Sequence, residues 1–335
     1  MIKSAIKKLI EGKDLSYEEV KGAMTMIMTG EATAAQIAAY LTALRIKGEK
    51  EEEIAASAQV MRDVAVKPPI DCDCMDIVGT GGDNSNSFNI STCSAFVAAA
   101  GGIRVAKHGN RRVSSGCGAA DVLEEMGANL KISPAKAKEA LDYCGFTFLH
   151  AQVYHPAMRF AAPVRGELGV RTVFNILGPL ANPAGAKSQL LGVFSQDMLK
   201  PLAKVLNKLG TTRLIAVHGD DGLDEVSPSG ATLCYEIFDG REREYTVTPA
   251  DFGLAAHAKE EIKGGDPAEN ARIMRRVLGG ERGAYRDAVV ENSALCFYIA
   301  GKAEDIYGGA RLAERLIDSG AAAQTAEKFI KVTNS

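Results

Sequence analysis

A glycine-rich segment has the residue types expected around a bound phosphate. It reads Gly79-Thr80-Gly81-Gly82-Asp83, and residues 89–92 follow with the sequence Asn-Ile-Ser-Thr. Glycines let a backbone come close to a ligand, and the free amides at the start of a helix attract anions. A dinucleotide-binding loop of the G-x-G-x-x-G type needs a glycine at position 84, where this chain has Asn84. The segment therefore indicates either a phosphate-binding loop or a plain turn between a strand and a helix.

A basic segment at residues 107–115 reads Lys-His-Gly-Asn-Arg-Arg-Val-Ser-Ser and follows a predicted strand. Its cations and hydroxyls suit a phosphate or a pyrophosphate. Ligands of doubly wound sheets collect beyond the carboxyl ends of the strands, so this segment and the glycine-rich segment should face one crevice. The alternative is a solvated basic turn.

An acidic segment, Asp220-Asp221-Gly222-Leu223-Asp224-Glu225, follows another apolar run. Clustered carboxylates repel one another unless a cation lies between them, and magnesium is commonly held by one or two carboxylates together with substrate phosphates. Beside two phosphate-binding loops the segment favours a magnesium site. A solvated acidic turn is the alternative.

A fourth segment, residues 150–183, is rich in proline and glycine, which predicts little regular structure. It contains Arg165 and Arg171, and either guanidinium could bind a carboxylate in a bidentate manner. Either residue could equally be a structural ion-pair partner.

The elements that must position these segments differ along the chain. The first 66 residues predict short amphipathic helices, and Ser16 with Glu19, and Thr33 with Gln36, have the spacing of capping boxes. The apolar faces of these helices exceed what a small lobe can hide, so they should pack on a second domain or subunit. Helix ends are predicted at Gly12, Gly30 and Gly48.

From residue 75 onward, short β-branched runs alternate with helices, which is the rhythm of an α/β fold with a central, mostly parallel sheet. The predicted strands are residues 75–78, 103–107, 190–194 and 214–218, and residues 234–247 predict a hairpin at the sheet edge. The predicted helices are residues 95–100, 119–126, 134–143, 267–278 and 292 to about 332, the last interrupted by Gly301 and Gly308-Gly309.

The composition is that of a globular protein, with 46% hydrophobic and 24% charged residues among 335. A formal net charge of -3 argues against a binder of nucleic acid or of an anionic membrane. No apolar run predicts a signal peptide or a membrane span. The seven scattered cysteines predict reduced thiols in the cytoplasm, with a structural zinc as the alternative.

Taken together, the ordered motifs GTGGD, NIST, KHGNR with SS, PVR, NILGPLANP and DGLDE closely resemble the anthranilate phosphoribosyltransferase family. The resemblance implies the nucleoside phosphorylase-like phosphoribosyltransferase fold. It pairs a helical N-terminal domain, residues 1–70 completed by helices from about residues 160–185, with an α/β domain at residues 71–335. It also implies a homodimer through the helical domains and a substrate cleft between the domains.

The resemblance also implies a site for phosphoribosyl pyrophosphate (PRPP), for anthranilate and for Mg²⁺. Anthranilate would contact Gly79, Asn110 and Arg165, and Mg²⁺ would bind Ser91, Asp224 and Glu225. Two departures from the family pattern are Asn84 in place of a glycine and Ala119 in place of a serine. The residues implied for PRPP are Gly79, Gly82, Asp83, Ser87, Asn89, Ile90, Ser91, Thr92, Lys107, His108, Gly109, Asn110, Arg111, Ser114, Ser115 and Ala119.

The implied reaction belongs to tryptophan biosynthesis: the anthranilate amine attacks C1 of the ribose while pyrophosphate leaves, and no side chain is assigned as acid or base. His108 and His155 either shape the anthranilate pocket or have only a packing role in the protein interior. Two rivals are a pyrimidine nucleoside phosphorylase, which shares the fold without the DGLDE segment, and a catalytically silent relative that binds nucleic acid.

Overall fold

The computed structural model describes residues 1–111 and 116–335. The chain begins with four helices, α1 (Ile2–Ile10), α2 (Tyr17–Met28), α3 (Ala34–Lys47) and α4 (Glu51–Asp63). Both predicted capping boxes are confirmed, at the starts of α2 and α3. Each satisfies amides that the first helical turn leaves without a backbone partner. The predicted glycine stops are also confirmed, because Gly12, Gly30 and Gly48 all have positive φ.

A seven-stranded sheet forms the centre of the molecule, in the order β3-β2-β1-β4-β5-β6-β7. The pairs among β1 to β5 are parallel, and β6 and β7 add an antiparallel hairpin at one edge, as predicted. The hairpin turn places Asp239 and Gly240 at positive φ. The strands are β1 (Met75–Gly79), β2 (Val105–Gly109), β3 (Phe146–His150), β4 (Ser188–Gly192), β5 (Arg213–Gly219), β6 (Thr232–Phe238) and β7 (Arg241–Val247).

The strand β3 was not predicted. All five of its residues are buried, so it lacks the alternation of polar and apolar residues that marks a half-exposed strand. A short apolar run without that alternation does not distinguish a buried strand from a segment of a buried helix. Tertiary burial on both faces of the sheet therefore hid the strand from sequence reasoning.

Eleven further α-helices occur in the described part of the chain. They are α5 (Ile90–Ala100), α6 (Ala119–Glu125), α7 (Pro134–Cys144), α8 (Ala151–Tyr154), α9 (Ala162–Leu168), α10 (Phe174–Leu177), α11 (Gln196–Lys208), α12 (Pro267–Leu278), α13 (Ala284–Ile299), α14 (Ile306–Asp318) and α15 (Ala321–Thr333).

Several predicted helix limits were wrong. The helix α5 begins at Ile90, which confirms the placement of residues 89–92 at a helix start and extends the predicted helical segment 95–100. The helix α13 begins at Ala284, eight residues before the predicted start at 292. Residues 150–183 contain short helices where the pattern predicted little regular structure. Gly309 lies inside α14, because a Cβ there would come within 2.6 Å of the Ala294 carbonyl oxygen. Close packing of α14 on α13, and not a helix end, requires that glycine.

The two larger of three hydrophobic clusters among the described residues lie on opposite sides of the sheet. One packs the sheet against α5 and the C-terminal helices, and the other packs it against α11, the N-terminal helices and residues 161–181. Met24, Tyr40 and Leu41, from the apolar helix faces noted above, are fully buried in the second core. That apolar surface is therefore covered within this chain. No helix among the described residues is long and apolar enough to cross a membrane.

Candidate active site

A cleft of about 620 Å³ opens beyond the carboxyl ends of β1, β2 and β5. The glycine-rich, basic and acidic segments all line it, as does the segment that carries Arg165. Parallel strands place their carboxyl ends at one edge of the sheet, which is why segments far apart in the sequence meet there. Every site residue implied by the motifs lies on this cleft except Ser114 and Ser115, which lie outside the described residues.

The glycine-rich loop fits closely against the acidic segment. A Cβ on Gly79 would stand 2.5 Å from Oδ2 of Asp224, so a side chain has no room there. The Gly81 amide donates a 2.6 Å hydrogen bond to the same oxygen. Asn84 has φ of 56°, in the left-handed region that asparagine tolerates better than most residues. The departure from glycine at this position therefore keeps the turn.

The helix α5 starts inside the cleft and presents its first amides there. The Ser91 amide donates a 3.2 Å hydrogen bond to Oε1 of Glu225. The N-cap residue Asn89 gives no side-chain cap and instead donates from Nδ2 to the Cys117 carbonyl oxygen at 3.2 Å. The helix start and the glycine-rich loop thus both hold a carboxylate, which shows that their amides are aimed at anionic oxygens.

The last two carboxylates of the acidic segment, Asp224 and Glu225, are buried at high electrostatic cost. Burial, and next the charges of Asp83 and Glu225, hold the pKa of Asp224 well above its ordinary value. Burial also raises the pKa of Glu225 to about 7, although the nearby Lys107 ammonium opposes this shift. A cation bound between these groups would offset the repulsion.

These residues fit a magnesium ion that is shared with a substrate. Asp224, Glu225 and the Ser91 hydroxyl are hard oxygen donors on one wall of the cleft. Within residues 1–111 and 116–335, no three His, Cys, Asp or Glu side chains form a ready-made metal cluster. Such a partial set is typical of Mg²⁺, which completes its coordination with phosphate oxygens and water.

Lys107 is a buried cation at the base of the cleft. Its Nζ donates to the Ile77 carbonyl oxygen and, at 3.1 Å, to the Ser91 hydroxyl. Burial lowers the pKa of Lys107, while the carboxylates of Asp76 and Glu225 act in the opposite direction. The ammonium therefore lies where it can bind a phosphate oxygen beside the carboxylates.

His108 and His155 form a neutral pair on the cleft wall, with ring centroids 4.9 Å apart. Burial lowers the pKa of His108 to about 3 and that of His155 to about 4. Nδ1 of His108 lies 3.0 Å from the Gly178 carbonyl oxygen, so this nitrogen carries the proton. Both rings line the cleft as neutral groups.

The two arginines of the fourth segment have different surroundings. Arg165 is half-buried over the Phe174 ring, 5.2 Å from its centroid, and no carboxylate in the described part of the chain forms an ion pair with it. Arg171 stacks on Phe194 and donates from Nη1 to the Gly82 carbonyl oxygen at 3.4 Å. Arg165 is therefore available for an anionic ligand.

Two residues of the basic segment are already engaged. Arg111 forms ion pairs with Asp121 and Glu124 of α6, and its amide donates to Oδ1 of Asn110 at 2.8 Å. The Arg111 side chain is thus directed along α6, although part of it lines the cleft.

Several cleft residues were missed by sequence reasoning. The sequence indicates Arg171 only as an alternative to Arg165, yet the Arg171 guanidinium contacts the glycine-rich loop. The apolar wall had no local signal, because its members are separated in sequence and meet only in the folded chain. It comprises Met61, Met158, Phe174 and Pro179.

Comparison with known proteins agrees with this geometry. The helical bundle domain of the glycosyl transferase family matches residues 3–65, and the a/b domain of that family matches residues 71–323. An anthranilate phosphoribosyltransferase from Methanobrevibacter smithii is 52% identical over 335 residues, covering 100% of both chains.

Two solved structures have the same fold over nearly the whole length. The anthranilate phosphoribosyltransferase of Thermus thermophilus superimposes with a TM-score of 0.93 at 45% identity, covering 99% of each chain. The Saccharomyces cerevisiae enzyme in complex with PRPP and Mg also has a TM-score of 0.93, at 30% identity, and the match covers 99% of this chain and 98% of that one. The chain belongs to the anthranilate phosphoribosyltransferase family of glycosyl transferases.

Proposed function

We propose that the protein transfers the phosphoribosyl group of PRPP to the amine of anthranilate and releases pyrophosphate, a step of tryptophan biosynthesis. One observation supports this function most directly. A single cleft contains two anion-binding loops, a buried carboxylate pair, and an arginine over an aromatic ring that no carboxylate of the described residues neutralises. These are the features that a diphosphate, its metal ion and an aromatic acid require.

In this proposal, PRPP lies across the glycine-rich loop, the start of α5 and Lys107. The residues assigned to it are Gly79, Gly82, Asp83, Ser87, Asn89, Ile90, Ser91, Thr92, Lys107, His108, Gly109, Asn110, Arg111, Ala119 and, outside the described part, Ser114 and Ser115. Ser91, Asp224 and Glu225 hold Mg²⁺, which when bound offsets charge on the departing pyrophosphate.

Anthranilate lies on the other side of the cleft against Gly79, Asn110 and Arg165. The Arg165 guanidinium binds its carboxylate and thereby directs the neighbouring amine toward C1 of the ribose. A C–N bond forms as the C1–O bond breaks, the electron pair of that bond leaves with pyrophosphate, and the newly cationic nitrogen gives its proton to water. Because the aniline nitrogen is already nucleophilic, we assign no side chain as acid or base. His108 and His155 shape the pocket as neutral rings.

We further propose that residues 1–70 and about 160–185 form one domain, and residues 71–335, apart from that insertion, the other. The shared core of the N-terminal helices with residues 161–181 supports this division.

We also propose a homodimer through the helical domain, where Ile10 and Ile46 are 73% and 81% exposed. We also propose that the protein is cytoplasmic. The free, buried thiols of Cys93, Cys234 and Cys296 support this location, because the cytoplasm keeps thiols reduced.

An assay of anthranilate fluorescence tests the proposed function. We expect the fluorescence to fall when PRPP and Mg²⁺ are added together, and to persist when PRPP is omitted or Mg²⁺ is chelated. Phosphorolysis of a pyrimidine nucleoside, with anthranilate unchanged, would instead support the phosphorylase. A protein that leaves both substrates unchanged but binds a labelled oligonucleotide would support the silent relative.

A further inference from the structure

The backbone of Val226, the residue that follows the acidic segment, is hydrogen-bonded to a buried helix outside the cleft. Oδ1 of Asn292, in α13, accepts a hydrogen bond from the Val226 amide at 3.1 Å. Nδ2 of the same side chain donates to the Val226 carbonyl oxygen at 3.3 Å and to the Ala288 carbonyl oxygen at 2.9 Å. Asn292 is fully buried, so this amide binds both polar groups of one peptide residue without competition from water.

Val226 immediately follows the two carboxylates that the proposed function assigns to Mg²⁺. The residues on either side of Val226 have a separate attachment, because Asp221 accepts hydrogen bonds from Leu223 N and from the hydroxyls of Ser227 and Ser229. Residue 226 has neither of its backbone groups in that network. Asn292 therefore fixes the side of the loop that lies next to Glu225.

The same helix also holds the element that carries Ser91. The hydroxyl of Ser94, one turn along α5 from Ser91, donates to the Val289 carbonyl oxygen of α13 at 3.4 Å. The helix α13 is thus attached to α5 through Val289 and to the acidic segment through Asn292. It sets the separation between the helix start and the two carboxylates.

We propose that Asn292 is a positioning residue for the magnesium and diphosphate site, which it controls through Val226 without touching a ligand. This inference rests on the proposed function. Asp224 and Glu225 lie on the cleft, and both backbone polar groups of the next residue, Val226, are bound to the Asn292 side chain. Asn292 thereby holds the two carboxyl groups at fixed positions in the cleft before any cation binds.

Calorimetric titration of inorganic pyrophosphate, with and without Mg²⁺, tests the proposal without relying on turnover. We expect Asn292→Ala to weaken magnesium-dependent pyrophosphate binding about tenfold, since two hydrogen bonds that hold the loop are lost. In steady-state assays the Mg²⁺ concentration for half-maximal rate should rise similarly, while the KM for anthranilate changes by less than about twofold. If Asn292→Ala does not fold, Asn292→Ser has a smaller, polar side chain and serves for the same titration.

Two control variants separate positioning from general damage to the fold. Ser293→Ala removes a neighbouring buried hydroxyl that has no partner in the described part of the chain, and Asn207→Ala removes an amide bonded to the Thr211 carbonyl oxygen far from the cleft. Neither should change magnesium-dependent binding. An Asn292 variant that binds pyrophosphate and Mg²⁺ like the wild type would overturn the proposal. A wild-type protein without magnesium-dependent pyrophosphate binding would instead refute the proposed metal site.

Discussion

At the scale of single residues, the buried carboxylate of Glu225 carries a charge that the fold alone does not stabilise. Burial raises its pKa from 4.5 to about 7, so the folded state favours the protonated form. A group of this kind contributes stability that is fully present below its unfolded pKa and is lost as the pH rises through the folded pKa. Bound magnesium would remove this penalty above pH 7, because the ion favours the carboxylate.

We therefore predict that the stability of the metal-free wild type relative to Glu225→Gln falls by roughly 1–3 kcal/mol between pH 4.5 and pH 7.5. The two proteins share the remaining pH dependence, to which the raised pKa values of Asp76 and Asp224 and the lowered pKa values of His108 and His155 contribute slopes of opposite sign. Denaturant unfolding in a chelator, at both pH values, measures the effect. Equal slopes for the two proteins would contradict it.

Arg165 offers a second test at this scale. Its replacement by Ala should lower the use of anthranilate roughly 10- to 100-fold, through a higher KM or a lower kcat, because one charge-assisted contact is lost. The KM for PRPP and the Tm should change little. Arg159→Ala is a matched control, since that arginine also stacks on a phenylalanine in the same segment but lies outside the cleft lining. Lost stability with proportionate damage to both substrates would show a structural role instead.

At the scale of elements, the end of β1 and the end of β4 close around the acidic segment. A Cβ on Gly192 would come within 1.6 Å of the Asp224 carbonyl oxygen, and one on Gly79 within 2.5 Å of its carboxylate. Glycine is required at both strand ends because Asp224 occupies the space that a Cβ would need. The conformation of the glycine-rich loop thus depends on its contacts with Asp224 as well as on its own glycines.

Gly79→Ala should consequently displace the Asp224 carboxylate and reduce kcat/KM at least about tenfold, as expected for a shift of a binding group in a preorganised site. Gly166→Ala, in α9, provides the control, because its Cβ would have no atom within 4 Å and alanine favours a helix. Steady-state kinetics and circular dichroism of both variants check the prediction. An active Gly79→Ala enzyme with wild-type magnesium dependence would contradict the close contact.

At the scale of the whole molecule, the helical domain has apolar residues on two surfaces. Met24 and Leu41 face the rest of the chain and are buried, while Ile10 and Ile46 are exposed in the single chain. The helices α1 and α3, which carry the exposed pair, pack on each other. Apolar surface of this kind fits the proposed homodimer.

Ile46→Asp should therefore convert a dimer to monomers, because a charge at an apolar contact is costly to bury. Light scattering after size exclusion measures the change, and Lys13→Asp, a substitution at an exposed and polar position of the same domain, should leave the dimer intact. A wild-type monomer, or a dimer that survives Ile46→Asp, would count against this interface.

Features that depend on residues three or four positions apart could be predicted without the fold. The capping boxes of α2 and α3 and the glycine ends of the first helices belong to this group, since their hydrogen bonds and φ angles are local. Four of the five parallel strands, β1, β2, β4 and β5, and the loops that follow them also followed from short patterns. So did the gathering of the glycine-rich, basic and acidic segments, because parallel strands share one carboxyl edge.

Features that depend on burial between distant segments could not be predicted. The strand β3 and the early start of α13 lack a periodic pattern because they are buried on nearly every side. Arg171 contacts Gly82, which is 89 positions away in the chain, and this contact places it on the cleft. Asn292 likewise binds Val226, which is 66 positions away. The raised pKa of Glu225 likewise arises from desolvation, which exists only once the chain has closed around the carboxylate.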